Sequence, residues 1–316
     1  MKKVCAIVMA LCLLLAGLCP ALAEDKTYRI GICQLAPHPA LDAATQGFRD
    51  FLTEKLGDRV VFDEQNAAGE AATCMQIMNS FISEDVDLIM ANATASLQAA
   101  QSATGDIPIL GTAVTDYGVA LDLTCVDGKT GVNISGTSDL APLDQQAAMI
   151  KELFPEAKEV GLLYCSSEAN SAYQIEVMTQ ELTKLGFRCT EFAFSDSSDV
   201  TSMTSTACQN SDVIYVPTDN VVATCAEAIR NVAEVDRVPI IAGEEGACAG
   251  CGVATLSISY YDLGVTTGKM AAKILTGEAD ISTMAIEYTN ATKKYNAATC
   301  DALGIKPLDG YTAIGE

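Results

Sequence analysis

Val160-Gly161-Leu162-Leu163-Tyr164-Cys165, then Ser166-Ser167-Glu168-Ala169-Asn170-Ser171, then Ile175, Met178, Leu182 and Leu185 ahead of Gly186, are three patterns in succession. The apolar run is too short for a helix and suits a strand buried on both faces. The four later apolar residues, spaced by three and four, share one face of a helix that Gly186 ends. A strand feeding a helix through a turn of hydroxyl and amide side chains is one unit of an open parallel sheet. At the carboxyl edge of such a sheet, the amides that start each helix face outward and small ligands bind. In a single turn, Ser and Asn can equally serve as helix caps. A ligand site requires several such turns to converge.

The unit recurs along the chain. Tyr28 to Leu35 reads as a strand, Ala36 to Asp42 as a loop, and Ala43 to Leu56 as a helix stopped by Gly57. Val60–Asp63, Val86–Met90 and Ile107–Gly111 read as further strands, with helices at Ala71–Ser83 and through Ser102. Alternating strands and helices predict a parallel sheet covered on both faces. The order then repeats. Gly31 has a counterpart in Gly161, Asp87-Leu88-Ile89-Met90 in Asp212-Val213-Ile214-Tyr215, and Ile107-Pro108-Ile109-Leu110 in Val238-Pro239-Ile240-Ile241. The offsets, roughly 125 to 131 residues, are far longer than a solenoid repeat. Three echoes in one order predict an α/β protein of two doubly wound parallel-sheet lobes. The expected first lobe is 24–137 plus 260–282 and the second 138–259 plus 283–316, joined by stiff crossings at strand ends that act as a hinge.

Composition narrows the possible functions. Lys2-Lys3, the apolar stretch Val4–Leu18 and Ala21-Leu22-Ala23 read as a secretory signal peptide over 1–23, which implies an extracytoplasmic, periplasmic or secreted protein. Cys19 raises the question of a lipid anchor, but Leu18 is bulky where a small residue is expected, so cleavage after Ala23 is the reading. Loss of two leader lysines takes the net charge from −22 to −24, which repels nucleic acid and anionic lipid. Three of the 13 cysteines lie in the leader. Cys248 and Cys251 are the one tight pair, and without a second pair they predict a local disulfide or two free thiols rather than a metal site. No cofactor is expected.

Several stretches resemble the TrpX-type substrate-binding proteins of ABC transporters, which have the type I periplasmic-binding-protein fold and are associated with aromatic amino acids. The resemblance rests on His38-Pro39-Ala40-Leu41-Asp42, Ala113-Val114-Thr115-Asp116, Ser138-Asp139-Leu140, Tyr164 with Ser166–Ser171, Tyr215–Asn220, Ala242-Gly243-Glu244-Glu245 and Tyr260–Gly264 through Ala272. One departure is Gly243-Glu244-Glu245 where the family often has Gly-Asp-Glu, which lengthens that acid by a methylene. The resemblance implies an amino-acid transport receptor that closes by hinge motion and docks, as a monomer, on a membrane ABC permease.

A free amino acid presents a carboxylate, an ammonium and a side chain, and burying either charge unpaired costs several kcal/mol. Thr94, Ser96 and the amides around Ala95 suit the carboxylate, as do Ser167, Asn170 and Ser171 from the other lobe. Asp219 and Glu244 are candidates for the ammonium, with Asp116 a third; each acid can also simply cap a helix. Thr115, Glu168, Thr218 and Asn220 lie in the same loops, and Gln34 and Pro39 border the cleft. Tyr117, Tyr164, Tyr173 and Tyr215 are the aromatic residues nearest to it.

Three rivals remain. The same fold could take a branched-chain amino acid, nucleoside or sugar, although the absence of Trp weighs against sugar stacking. A hydrolase triad would have to use the single histidine, His38, which lies between two prolines with no Gly-x-Ser-x-Gly elbow and is better suited to shaping a loop. A sensory ligand-binding protein would differ only in its partner.

Overall fold

The computed structural model describes residues 26–306 and 309–315; the expected leader at 1–23, with Cys19, lies outside them. Strand and helix alternate as the apolar periodicity predicts. The first half runs β1 (Tyr28–Gln34), α1 (Pro39–Leu56), β2 (Val60–Asn66), α2 (Ala71–Ser83), β3 (Leu88–Asn92), α3 (Thr94–Ala103), β4 (Ile109–Val114), α4 (Tyr117–Leu121) and β5 (Ile134–Ser138). Next come α5 (Leu143–Leu153), β6 (Glu159–Cys165), α6 (Ala169–Lys184), β7 (Arg188–Phe194), α7 (Val200–Asn210) and β8 (Val213–Val216). The second winding closes with α8 (Asn220–Thr224), α9 (Ala226–Asp236), β9 (Ile240–Ala242), α10 (Glu245–Cys251) and β10 (Ala254–Ile258). Last are α11 (Tyr260–Leu275), β11 (Glu287–Tyr288), β12 (Ala291–Tyr295), α12 (Ala297–Leu303) and β13 (Thr312–Ala313).

The echoes in sequence are echoes in topology. One sheet runs β2-β1-β3-β4-β5-β11 and the other β7-β6-β8-β9-β10-β12-β13, so the first five strands of each are wound in the same order. Within those five, all pairings are parallel. Both faces are covered, as the unbroken apolar runs require. Ile30, Ile32, Leu88 and Met90 pack with Phe48 and Met270, while Cys33, Ile89 and Ala91 pack with Ile77, Phe81 and Leu97. The paired glycines have a physical reason: a Cβ on Gly31 would lie 2.6 Å from the Phe81 ring, and one on Gly161 2.3 Å from Ser211 Oγ.

Three chain passages join the lobes. The first leaves β5 for α5 and the second leaves β10 for α11, which packs on α1 so closely that a Cβ on Gly264 would lie 1.9 Å from the Ala44 carbonyl oxygen. The third lies between β11 and β12, later than the boundary after 282 that the periodicity suggested. Glu287 and Tyr288 still pair with Thr137 and Ser138 of the first sheet.

Helix α1 begins at Pro39 rather than Ala43. Proline lacks the N–H that the first helical turn leaves unpaired and presets φ, so Pro39 starts the helix instead of breaking it. The preceding His38 is thereby held at the helix entrance with an extended backbone. All ten cysteines among the described residues are free thiols.

Candidate functional site

The carboxyl ends of the two sheets face each other across a narrow cavity. From the first lobe its wall takes His38 and Leu41, at the start of α1, and Ala113 and Thr115, around the end of β4. Ala113 has φ +52° at a register shift between β4 and β5, a strained kink that carries Thr115 into the wall. The second lobe supplies Asn170, Thr218, Asp219, Asn220, Ala223 and Glu244. Asp139 and Tyr260, one from each of the first two passages, complete it.

A polar network binds these residues together. Tyr260 donates from its hydroxyl to Asp139 Oδ2 at 2.9 Å and Thr115 donates to Asp139 Oδ1 at 3.1 Å, so one carboxyl ties two passages to the end of β4. Asp219 accepts from the amide of Val222 at 2.8 Å, capping α8, and from that of Cys165 at 2.7 Å, which clamps the end of β6 to the turn after β8. Glu244 caps α10 by accepting from the Gly246 and Ala247 amides. Gln174 accepts from the Thr218 amide at 3.1 Å and reaches Thr115 of the other lobe at 3.5 Å. His38 Nε2 meets Asn220 Oδ1 at 3.2 Å, a second direct bond between the lobes.

Asp139, Asp219 and Glu244 are each at most 3% exposed. Burial pushes the Asp139 carboxyl up to about 6 and the Glu244 carboxyl up to about 7. Burial, reinforced by the nearby Glu168 charge, raises that of Asp219 as well. Burial also lowers the pKa of His38, which favours the neutral ring. Among the described residues lining the cavity there is no Lys or Arg. The wall therefore gathers three carboxyl groups without a cation, a composition that favours a positively charged guest.

Of the residues expected from sequence, Thr115, Asn170, Thr218, Asp219, Asn220 and Glu244 share this wall. The others lie elsewhere. Gln34 borders a separate polar hollow on the first lobe and bonds Asp42 and Thr45. Pro39 borders a groove beside the second passage. Thr94, Ala95 and Ser96 start α3, but Ser96 Oγ turns into the core between the thiols of Cys33, at 3.6 Å, and Cys74, at 3.5 Å. Asp116 caps α4 through the Val119 amide at 2.8 Å. Ser167 bonds the Ser195 carbonyl at 3.0 Å. Glu168 accepts from Asn170, Asn220 and Val221, holding the loops of its own lobe together, and Ser171 lies buried beside Asn170.

The four tyrosines also sit outside the wall. Tyr117, Tyr164 and Tyr215 bond Thr137, Glu191 and Gln146, while Tyr173 lines a shallow hollow on the second lobe. The aromatic ring that does line the cavity is Tyr260. His38, Asp139 and Tyr260 escaped residue-by-residue reasoning although all three fall in the stretches that carry the family resemblance. For Asp139 and Tyr260 the signal was an acid or aromatic side chain just after a strand end where the chain changes lobe; His38 lies at the entrance of α1, away from any crossing.

Two like-wound lobes, three passages between them and a polar cleft where the strand ends face each other define a two-lobed solute receptor. The chain belongs to the ABC transporter substrate binding protein family, which it matches over residues 29–308. It is 38% identical to a tyrosine-binding protein of Clostridioides difficile (strain R20291), over 90% of this chain and 83% of that one. Two solved structures are informative as a pair. The ABC domain from Streptococcus pneumonia in complex with L-Trp superposes with a TM-score of 0.87 at 30% identity, covering 92% of this chain and all of that one. The ligand-free, open structure of a substrate binding protein with adhesive properties from Clostridium difficile is 37% identical, with 91% and 99% coverage, yet reaches only 0.70. The less similar sequence superposes better, so the lobes here are nearer to the liganded arrangement than to the open one.

Proposed function

We propose that this protein is the extracytoplasmic receptor of an ABC importer for an aromatic amino acid, with L-tyrosine the first ligand to test. The observation that carries this reading is the trio of buried carboxyl groups, Asp139, Asp219 and Glu244, around one cavity without a lining Lys or Arg. An α-ammonium entering that space supplies the missing charge, with Asp219 and Glu244 as its principal partners. The hydroxyl and amide groups of Thr115, Asn170 and Thr218 suit the carboxylate. Leu41, Ala113, Ala223 and the Tyr260 ring offer the side chain an apolar wall. The tyrosine-binding relative and the L-Trp complex support the same ligand class.

Closure is a hinge motion about the three passages, and the closed, loaded form docks on a membrane permease as a monomer. Among the described residues no helix is long and apolar enough to cross a membrane.

Native mass spectrometry of the protein as purified, followed by a thermal-shift screen, tests the reading. A ligand at a hundred times its Kd stabilises the folded state by about 2.7 kcal/mol. L-Tyrosine, L-tryptophan or L-phenylalanine should raise the melting temperature, whereas myo-inositol, glucose and adenosine should not. Stabilisation by a sugar or nucleoside alone would overturn the assignment.

A further inference from the structure

His38 has one bonded and one unbonded ring nitrogen, and their roles can be worked out from its neighbours. Glu168 holds its two oxygens towards N–H donors: the side-chain amides of Asn170, at 3.0 Å, and Asn220, at 2.7 Å, and the Val221 backbone amide at 3.0 Å. That arrangement sets the Asn220 amide, because Nδ2 must be the atom facing Glu168. Oδ1 then faces His38, and an oxygen acceptor there requires His38 Nε2 to carry the proton. In a neutral ring Nδ1 is consequently a bare acceptor. It is fully buried and has no partner, on a residue only 6% exposed that forms part of the cavity wall. A buried polar atom without a partner is destabilising and uncommon in native proteins.

We infer that His38 touches the ligand directly: Nδ1 accepts a hydrogen bond from a donor group of the bound molecule while Nε2, through Asn220 and Glu168, latches the first lobe to the second. The inference rests on the amino-acid reading above and adds a contact to it. It also gives closure a chemical trigger. The latch lies across the lobes, so it forms only when they meet, and the donor group of the guest completes the ring at that moment. A tyrosine offers two donors that fit, an ammonium N–H and the phenolic O–H.

The chain has a single histidine, so the imidazole 15N spectrum of tag-free protein reports His38 alone. Saturation with L-tyrosine should give the Nε2–H tautomer, with the Nδ1 resonance displaced towards the value of a hydrogen-bonded acceptor. An Nδ1–H tautomer, or an Nδ1 resonance that does not move on saturation, would overturn the inference. The same displacement with L-phenylalanine identifies the ammonium as donor; displacement with L-tyrosine alone identifies the phenol.

Calorimetry on variants gives an independent reading. Asn220→Ala removes the latch and His38→Ala removes both latch and contact. His38→Ala should therefore weaken L-tyrosine on the order of ten- to a hundredfold, and by more than Asn220→Ala does. Equal losses would leave Nδ1 without a ligand role. A wild-type protein that binds no aromatic amino acid at all would instead defeat the functional reading.

Discussion

The turn after β3 and the turn after β8 occupy equivalent places in the two windings, yet they do opposite things. In the first lobe, Ala93 takes φ +87° and α3 packs onto α2, so Ser96 points into the core between two thiols. In the second lobe, Gly243 lets the end of β9 press against the turn, since a Cβ there would lie 2.7 Å from the Thr218 amide nitrogen. That turn places Thr218, Asp219 and Asn220 in the cavity wall. The same topology thus gives one rim without a carboxyl group and another that is acidic. The lining carboxyl groups belong to the second lobe and to the first passage, while His38, Leu41, Ala113 and Thr115 of the first lobe carry none. Charge recognition on one lobe followed by closure of the other is the working order this asymmetry suggests.

The strongest way to break that comparison is to neutralise the second rim. Asp219→Asn should weaken L-tyrosine by at least a hundredfold in calorimetry, because an ammonium buried without its partner forfeits about 3 kcal/mol or more. The empty protein should also melt lower, because the Asn Nδ2 cannot accept and leaves either the Cys165 or the Val222 amide without its acceptor, so affinity is compared at a temperature where both proteins are folded. Unchanged affinity would place the ammonium elsewhere.

Titration gives a smaller effect with a definite sign. Burial raises Asp139 to about 6 and Glu244 to about 7, from an ordinary carboxylate value of about 4. Across that window the closed, empty protein holds protons that the unfolded chain has already lost, so its stability declines as pH rises from about 4 to about 7. A bound ammonium favours the ionised acids and opposes that decline. The melting-temperature gain from L-tyrosine should therefore grow between pH 5 and pH 8, and a flat profile would count against an ammonium among these carboxyls.

The least effect belongs to the α3 turn of the first lobe. Ser96→Ala should lower stability by about 1 kcal/mol or less and leave L-tyrosine affinity within twofold. A tenfold loss of affinity would return the α3 turn to the site and remove the asymmetry.

The two windings were legible because apolar runs bounded by polar turns, repeated in the same order, leave few arrangements other than a parallel sheet covered on both sides. Candidate residues could be chosen only by position after a strand. That rule captured Asp219 and Asn220, and it equally selected Ser167, which bonds Ser195, and Asp116, which caps a short helix. A residue just past a strand can point along the sheet, into the core or into the cleft, and helix packing sets which. His38 looked like a loop-shaping residue because two prolines flank it; with Pro39 opening α1, the same prolines hold it at the cavity.

Local sequence determined the strands, the helices, the doubled winding and the acidic, lysine-poor character of the chain, because periodicity and composition act over a few residues at a time. Tertiary structure alone selected which polar side chains meet. Asp139 and Tyr260 are separated by 121 positions, and Glu168, Asn220 and His38 come from three different loops. Their contacts depend on how two lobes close about three passages, and the direction of each side chain is set by the helices packed behind it.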